Sequence, residues 1–296
     1  MKIGFIGLGQ MGKHIAMNLS KRNEKLIVCD VCTDNFNEFS KKGIQTTTNF
    51  FDIAQVDIIF LSLPNTKIVK EVIFGNKGLL ECSIKAKIIV DLSTITYNGT
   101  IEIAERLGKE GISFIDAPVS GGEAGAINAT LTIMGGGDKN VFEKINPLLK
   151  DIGNEILYMG ESGKGQLTKL INQLLYDINV AALAEILPMA IKLGLEPAKV
   201  GKVVNNGSGR SYASEFFISR ILGNEFKGAY TMGNAYKDLV SGAEISAEHC
   251  IPLPILHAAT STYQMALLKG YENADKSSMI KIFEELLDVK FRENNC

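Results

Sequence analysis

Histidine is scarce in this chain of 296 residues: only His14, His249 and His257 occur, and none stands at ligand spacing with cysteines or carboxylates. No metal centre is therefore expected, and no Ser, His and Asp follow in an order that supports hydrolysis. An excess of one charge is lacking as well. The 31 Lys and Arg against 33 Asp and Glu leave a formal net charge of −2, with the lysines scattered and no basic stripe. That excludes the electrostatic footprint of a nucleic-acid binder. Five cysteines is an odd count, and Cys29-x-x-Cys32 reads as one cysteine in a strand and one in the following loop, both reduced. An unbroken apolar run of membrane-spanning length is missing too. The most apolar stretch, Leu174 to Leu195, is interrupted by Asp177, Asn179, Glu185, Pro188 and Lys192, where about 18 uncharged residues would be needed. It reads as a buried helix. A strand-like run follows Met1 directly and leaves no space for a signal or transit peptide. The expectation is a cytoplasmic protein that binds neither nucleic acid nor membrane.

What is present begins at the N-terminus. Lys2-Ile-Gly-Phe-Ile-Gly-Leu-Gly-Gln-Met-Gly12 places the pattern Gly7-x-Gly9-x-x-Gly12 straight after an apolar run and opens an amphipathic stretch with Met11, Ile15 and Leu19 at spacing four. This is the dinucleotide fingerprint in its proper context. Gly7 permits a tight turn, Gly9 lets the backbone approach a pyrophosphate, and Gly12 lets the helix pack on the strand. With Leu8, Gln10 and Met11 they form the cofactor turn, and the free N–H groups of the helix hold the phosphates. Asp30 closes the second apolar run, Leu26 to Asp30. An acid there accepts from the adenosine ribose hydroxyls and repels a 2′-phosphate. No Arg or Lys follows in residues 31–34, so NAD is favoured over NADP.

The first half alternates short β-branched runs with amphipathic runs, the pattern of βαβ units and a parallel sheet. Strands are predicted at Ile3–Gly7, Leu26–Asp30, Asp57–Leu63, Ile88–Leu92, Ser113–Pro118, Leu131–Met134 and Glu155–Tyr158. Leu63-Pro64-Asn65 and Asp91-Leu-Ser-Thr94 fall at carboxyl ends of strands, where open α/β sheets bind ligands. Asn65 and Thr96 are also good helix starters, and a cap can line a pocket. Gly135-Gly-Gly137 reads as a turn into the next helix. After about residue 162 everything reads helical, with breaks at Gly194, Pro197, Gly207, Gly209, Gly223, Gly228, Pro252, Pro254 and Gly270. The fold class is α/β: a Rossmann-type doubly wound sheet over residues 1–162, then an all-α domain over 163–296. The helix predicted from Gln166 to Leu193 would run about 40 Å, with a kink near residue 184 imposed by Pro188. It is too apolar for a surface, so it should pass between domains or into a partner subunit, which motivates a homodimer or homotetramer.

Two further segments carry chemistry. Residues 112–130 place Ser120-Gly121-Gly122 in a loop after an apolar run, and Lys169 stands in Gly163-x-Gly165-x-x-x-Lys169-Leu-x-Asn172. A loop of bare amides with one lysine suits hydride transfer on a small hydroxy acid. Together with residues 7–19, Asp116-Ala-Pro-Val-Ser-Gly-Gly122 and Lys237-Asp-Leu239, these motifs resemble the β-hydroxyacid dehydrogenases in order and spacing, over nearly the whole chain. The resemblance implies a metal-independent NAD enzyme acting on a small β-hydroxy acid of the 3-hydroxyisobutyrate, tartronate semialdehyde/glycerate or 2-(hydroxymethyl)glutarate type. It implies that Ser120, Gly121 and Gly122 hold the substrate carboxylate and that Lys169 exchanges the hydroxyl proton, which requires it to be partly neutral. Without its motif Lys169 would read as a solvated helix lysine. Asn172 and Gln173, one turn on, are the candidates for a substrate-contacting amide; many members have asparagine where this chain has Gln173. Thr94 resembles the residue beside the nicotinamide ribose, and Lys237 a lysine that reaches toward the cofactor, its alternative being a surface lysine paired with Asp238. The loop Asn206-Gly-Ser-Gly-Arg-Ser-Tyr212 looks like that of 2-(hydroxymethyl)glutarate dehydrogenase, so Arg210 could bind a second carboxylate or be a surface residue. Two other readings on the same fold are a silent dinucleotide-binding protein and an imine reductase, which usually lacks the lysine.

Overall fold

The computed structural model describes every residue except 24, 228, 229 and 294–296; the break expected at Gly228 lies outside the described residues. The chain divides into two compact units, Met1–Lys169 and Leu170–Cys296.

The first unit is built on a nine-stranded sheet. Six parallel strands lie in the order β3 (Gln45–Thr47), β2 (Leu26–Cys29), β1 (Ile3–Ile6), β4 (Ile58–Leu61), β5 (Ile88–Asp91) and β6 (Ser113–Asp116). Strands β1, β4 and β5 are buried along their whole length, as a parallel sheet covered on both faces requires. Side chains alternate between two cores: Phe5, Phe60, Val90 and Ile115 face one, while Ile6, Ile59, Leu61 and Ile89 face the other. The chain order reverses beside β1, between β1 and β4, and the carboxyl ends of these strands are where such sheets bind ligands. Beyond β6 the sheet changes character. β8 (Leu131–Gly136) runs antiparallel to β6 and to the two-residue β7 (Val119–Ser120), and β9 (Gly153–Gly160) lies parallel to β8.

Two strands were not expected from the sequence, β3 and β7: one is a polar Gln-Thr-Thr edge, and the other carries Ser120, read as loop, into a pairing with Thr132. Gly135-Gly-Gly137 is a correction as well. Gly135 and Gly136 belong to β8, and only Gly137, at φ 134°, makes the turn before Asp138, which caps α7 (Lys139–Leu149). The strand needs bare glycine here, because a Cβ on Gly135 would overlap the Phe142 ring and one on Gly136 would crowd the Asp116 carboxylate.

The second unit is helical: most of α8 (Lys164–Lys192), then α9 (Pro197–Asn206), α10 (Tyr212–Leu222), α11 (Met232–Glu248), α12 (Pro254–Leu268) and α13 (Ile280–Leu287). The predicted breaks serve as helix ends. Pro197 and Pro254 open helices, Gly207 and Gly223 close them, and Gly194 turns the chain at φ 82°. α8 continues through Pro188 as one helix. Its first turns belong to the first unit, so the division falls inside the helix rather than ahead of it at residue 163. Within the second unit Val180, Ala181, Ala184 and Leu187 of α8 pack with Phe217, Leu239 and Tyr263. Expected to be buried between domains or in a partner subunit, α8 in the single chain leaves Ile171, Leu175, Ile186 and Met189 each half exposed or more. By length and composition α8 could cross a membrane, so its polar interruptions alone do not exclude a span. Its other face packs in the core of the second unit.

Candidate active site

The cofactor turn is shaped by crowding at two glycines and emptiness at a third. Gly7 sits at φ 100°, and a Cβ there would overlap the Ser62 carbonyl; a Cβ on Gly12 would overlap the Gly7 carbonyl. Gly9 has nothing within 4 Å of its would-be Cβ. A ligand can reach that backbone. The following helix, α1 (Gly12–Ser20), starts at Met11 with no side-chain cap, so no capping side chain competes with an anion at its start, although the Lys13 amide donates to the Gly9 carbonyl at 3.2 Å. Leu8 is buried in the core, which restricts it to backbone contacts. Asp30 accepts from the Leu8 amide and, at 2.8 Å, from the Cys32 amide, and Asn35 donates to the Leu8 carbonyl at 2.8 Å. Asp30 thus shapes the turn, and its remaining lone pairs can still take ribose hydroxyls. These features fit a dinucleotide.

Around the neighbouring strand ends the polar groups are tightly used. The Leu63 amide donates to Ser93 Oγ at 2.8 Å, and Asn65 caps α4 (Thr66–Phe74) by accepting from the Ile68 amide at 3.0 Å. Thr94 lies half-buried beside them, and Pro64 is exposed. Asp91, fully buried, accepts from the Ser93 amide at 3.0 Å, and burial pushes its carboxyl up to about 7.

Ser120 is half-buried at the end of β7, and the chain then turns through Gly121 and Gly122, both at positive φ (132° and 63°), into the short helix α6 (Gly122–Asn128). Glu123, the next residue, is held by the cofactor turn: Gln10 donates to Oε2 at 2.8 Å and His14 Nε2 lies 3.1 Å from Oε1. The Gln10 bond foremost, with His14 behind it, keeps that carboxyl below its usual range.

Lys169 is 8 % exposed, unlike a solvated helix lysine. The start of its helix is pressed onto the sheet: a Cβ on Gly165 would overlap the Met134 carbonyl, and Gly163 adopts φ 87°. Asp116 receives the Gly163 amide on Oδ1 at 2.8 Å and the Gln166 amide on Oδ2 at 3.0 Å. Burial raises this carboxyl to about 6 despite those bonds. Asp116, Gln166, Ser93, Glu123 and Asn35 were not singled out from the sequence. The first three stand inside quoted segments, which was the available signal.

In the second unit Gln173 is buried, and its Nε2 donates to Asp238 Oδ2 at 3.4 Å, whereas Asn172 is exposed. Asp238 also accepts from the Tyr230 hydroxyl at 3.2 Å and pairs with Lys237 at 3.9 Å. Lys276 is fully buried, 2.6 Å from Asp177 and with its ammonium 3.7 Å above the Tyr176 ring. Arg210 lies in the loop after α9 with its side chain 64 % exposed and paired with Glu215 at 2.7 Å. No group of three or more His, Cys, Asp or Glu that could hold a metal occurs among the described residues.

Residues 2–160 match the family described as the NAD binding domain of 6-phosphogluconate dehydrogenase, and residues 163–283 that described as NAD-binding of NADP-dependent 3-hydroxyisobutyrate dehydrogenase. The chain is 39% identical over 291 residues to 2-(hydroxymethyl)glutarate dehydrogenase of Eubacterium barkeri, covering 98% of this chain and 97% of that protein. It is 32% identical to 2-hydroxy-3-oxopropionate reductase of Escherichia coli K12, covering 98% and 99%. Among solved structures, the crystal structure of 3-hydroxyisobutyrate dehydrogenase from Salmonella typhimurium superposes with a TM-score of 0.87 at 25% identity, covering 96% of this chain and all of that one.

Proposed function

The chain belongs to the β-hydroxyacid dehydrogenase family, NAD(P)-binding oxidoreductases acting on CH–OH groups, and from that premise we propose how it handles its substrate. The Ser120 hydroxyl and the Gly121 and Gly122 amides hold the carboxylate of a small 3-hydroxy acid. Charge-assisted bonds of this kind contribute roughly 1.5–3 kcal/mol each. They orient the β-carbon, and Lys169 takes the hydroxyl proton as the C–H bond breaks, or returns it in the reducing direction. The nicotinamide, when bound, supplies the hydride acceptor or donor. The observation that carries this reading is the near-complete burial of Lys169 on a helix start anchored by Asp116. A solvated structural lysine has no need of that environment, and neither a silent binder nor an imine reductase has use for the lysine.

NAD is the preferred dinucleotide, since Asp30 is the acid at the end of β2 and no cation follows it. Gly7, Leu8, Gly9, Gln10, Met11, Gly12, Leu63, Pro64, Asn65, Thr94 and Lys237 serve the cofactor. Gln173, buried and bonded to Asp238, has better claim than exposed Asn172 to a fixed substrate contact. The substrate is a dicarboxylic hydroxy acid of the 2-(hydroxymethyl)glutarate type, with Arg210 leaving Glu215 to take the second carboxylate. The protein works in the cytoplasm as a homodimer or homotetramer whose contact includes the exposed apolar side of α8.

The test is absorbance at the reduced-nicotinamide band with NAD or NADP and 3-hydroxyisobutyrate, glycerate, serine or 2-(hydroxymethyl)glutarate, beside Lys169→Ala and Arg210→Ala. Lys169→Ala should lose about 10² to 10⁴ in turnover. Arg210→Ala should lose dicarboxylate turnover only. Equal loss on mono- and dicarboxylates refutes the Arg210 role, and NAD binding with no turnover on any acid refutes the dehydrogenase reading of the site.

A further inference from the structure

Gln166 lies on the turn of α8 just before Lys169 and is 2 % exposed. Its amide is used at both ends. Nε2 donates to the Ser93 carbonyl at 2.7 Å, and Oε1 accepts from the Ile95 amide at 3.2 Å. The two bonds clasp the backbone on either side of Thr94, the residue placed beside the nicotinamide ribose in the proposed site. The backbone of the same turn is tied elsewhere: the Gln166 and Gly163 amides both donate to Asp116 at the end of β6. Ser93 is fixed in turn, its amide donating to Asp91 and its hydroxyl accepting from the Leu63 amide. The carboxyl ends of β4, β5 and β6 and the first turns of α8 therefore form one hydrogen-bonded frame, and Gln166 is the side chain that closes it.

We infer that Gln166 is a positioning residue for proton transfer, holding Lys169, one turn further on, in register with Thr94. The inference rests on the general acid/base assignment of Lys169. Gln166 itself is 2 % exposed and both ends of its amide engage backbone, so it is not placed to touch a substrate. Its amide is the group the geometry requires, because one donor and one acceptor must be presented together at a fixed spacing. A glutamate would set an acceptor against the Ser93 carbonyl, and a methionine would leave both buried backbone groups unpaired. A shift of about 1 Å in a reacting group costs about 10²-fold in rate, so loosening this clasp should act on kcat.

The experiment compares Gln166→Met and Gln166→Glu in the full-length enzyme, each with Lys169 present and with Lys169→Ala. The expected result is a fall in kcat of about 10- to 10²-fold, with the NAD dissociation constant, measured by calorimetry, held within about threefold and the melt still cooperative. In the Lys169→Ala background the same substitutions should cause no further loss, because coupled residues do not add. An equal loss with and without Lys169 would show that Gln166 acts on the fold or on cofactor binding and would overturn the inference, as would an unchanged kcat. Full turnover by Lys169→Ala alone would overturn the lysine assignment, an outcome read with Gln166 untouched. Should Gln166→Met not fold, Gln166→Glu and Asp116→Asn, which disturb the same turn, carry the comparison with the same expected non-additivity.

Discussion

Asp91→Asn should make the protein more stable as pH rises relative to the wild type, and the size of the gain can be worked from its environment. The carboxyl is fully buried at the end of β5, its Oδ1 accepts from the Ser93 amide, and its Oδ2 has no partner. Burial foremost, with Asp116 on the neighbouring strand adding to it, lifts it to about 7 from an ordinary value of 3.8. A carboxyl raised in the folded state binds more protons folded than unfolded between those values. Stability therefore falls as pH climbs through the window and levels off above about 7. From about pH 5 to about pH 8 the titration of this one group removes on the order of 2.5 kcal/mol, at 1.36 kcal/mol per pKa unit. Asparagine keeps the acceptor for Ser93 and carries no charge. Its Nδ2 at the unpartnered position can cost about 1–3 kcal/mol, but that offset does not depend on pH. The quantity to measure is the difference in unfolding free energy between variant and wild type, by urea titration at about pH 5 and about pH 8. It should shift by about 2–3 kcal/mol in favour of the variant. A pH-independent difference would refute the claim that Asp91 is ionised at a cost in the folded protein.

Two contrasts test other parts of the structure. Gly9→Ala should leave the urea midpoint unchanged, because nothing lies within 4 Å of the added Cβ, while weakening NAD binding measured by calorimetry; Gly7→Ala, forced against the Ser62 carbonyl at φ 100°, should lose stability by about 1–3 kcal/mol. Lys276→Met should destabilise by about 3–5 kcal/mol by stranding the buried Asp177 carboxylate, and Lys276→Met combined with Asp177→Leu should recover most of that loss in the same denaturation assay.

The parts of the molecule legible in the sequence are those whose cause is local. The glycine turn follows from the φ and clearance needs of three positions, and the parallel strands from runs such as Ile58–Leu61 that are buried on both faces. β3 and β7 were illegible because Gln-Thr-Thr and Val-Ser carry no apolar signature and are strands only through their neighbours. The frame around Lys169 escaped for a related reason. Asp116 meets Gly163 across 47 positions and Gln166 meets Ser93 across 73, so neither partnership leaves a mark on the local pattern. The glycine triplet at 135–137 misled because glycine reads as a turn by default, whereas two of the three are there for a ring and a carboxylate that approach the strand.

α8 misled in the opposite way, by offering too much apolar signal. It is apolar nearly all round, so its sequence carries no period from which a buried face could be chosen, and burial between domains or in a partner subunit is the reading it invites. The structure separates the faces. Small residues, Ala181 and Ala184, with Val180 and Leu187 enter the core of the second unit, while Ile171, Leu175, Ile186 and Met189 stand in solvent at spacings of four and three within each pair. These four large side chains are 50–61 % exposed, so covering the rest would gain roughly half of the 1.5–3 kcal/mol of a full burial apiece, a gain that a second copy of the chain laid along that stripe would supply. The same apolar excess that hid the helix's orientation is therefore the physical reason to expect an oligomer, and light scattering that finds only monomers would remove that reason.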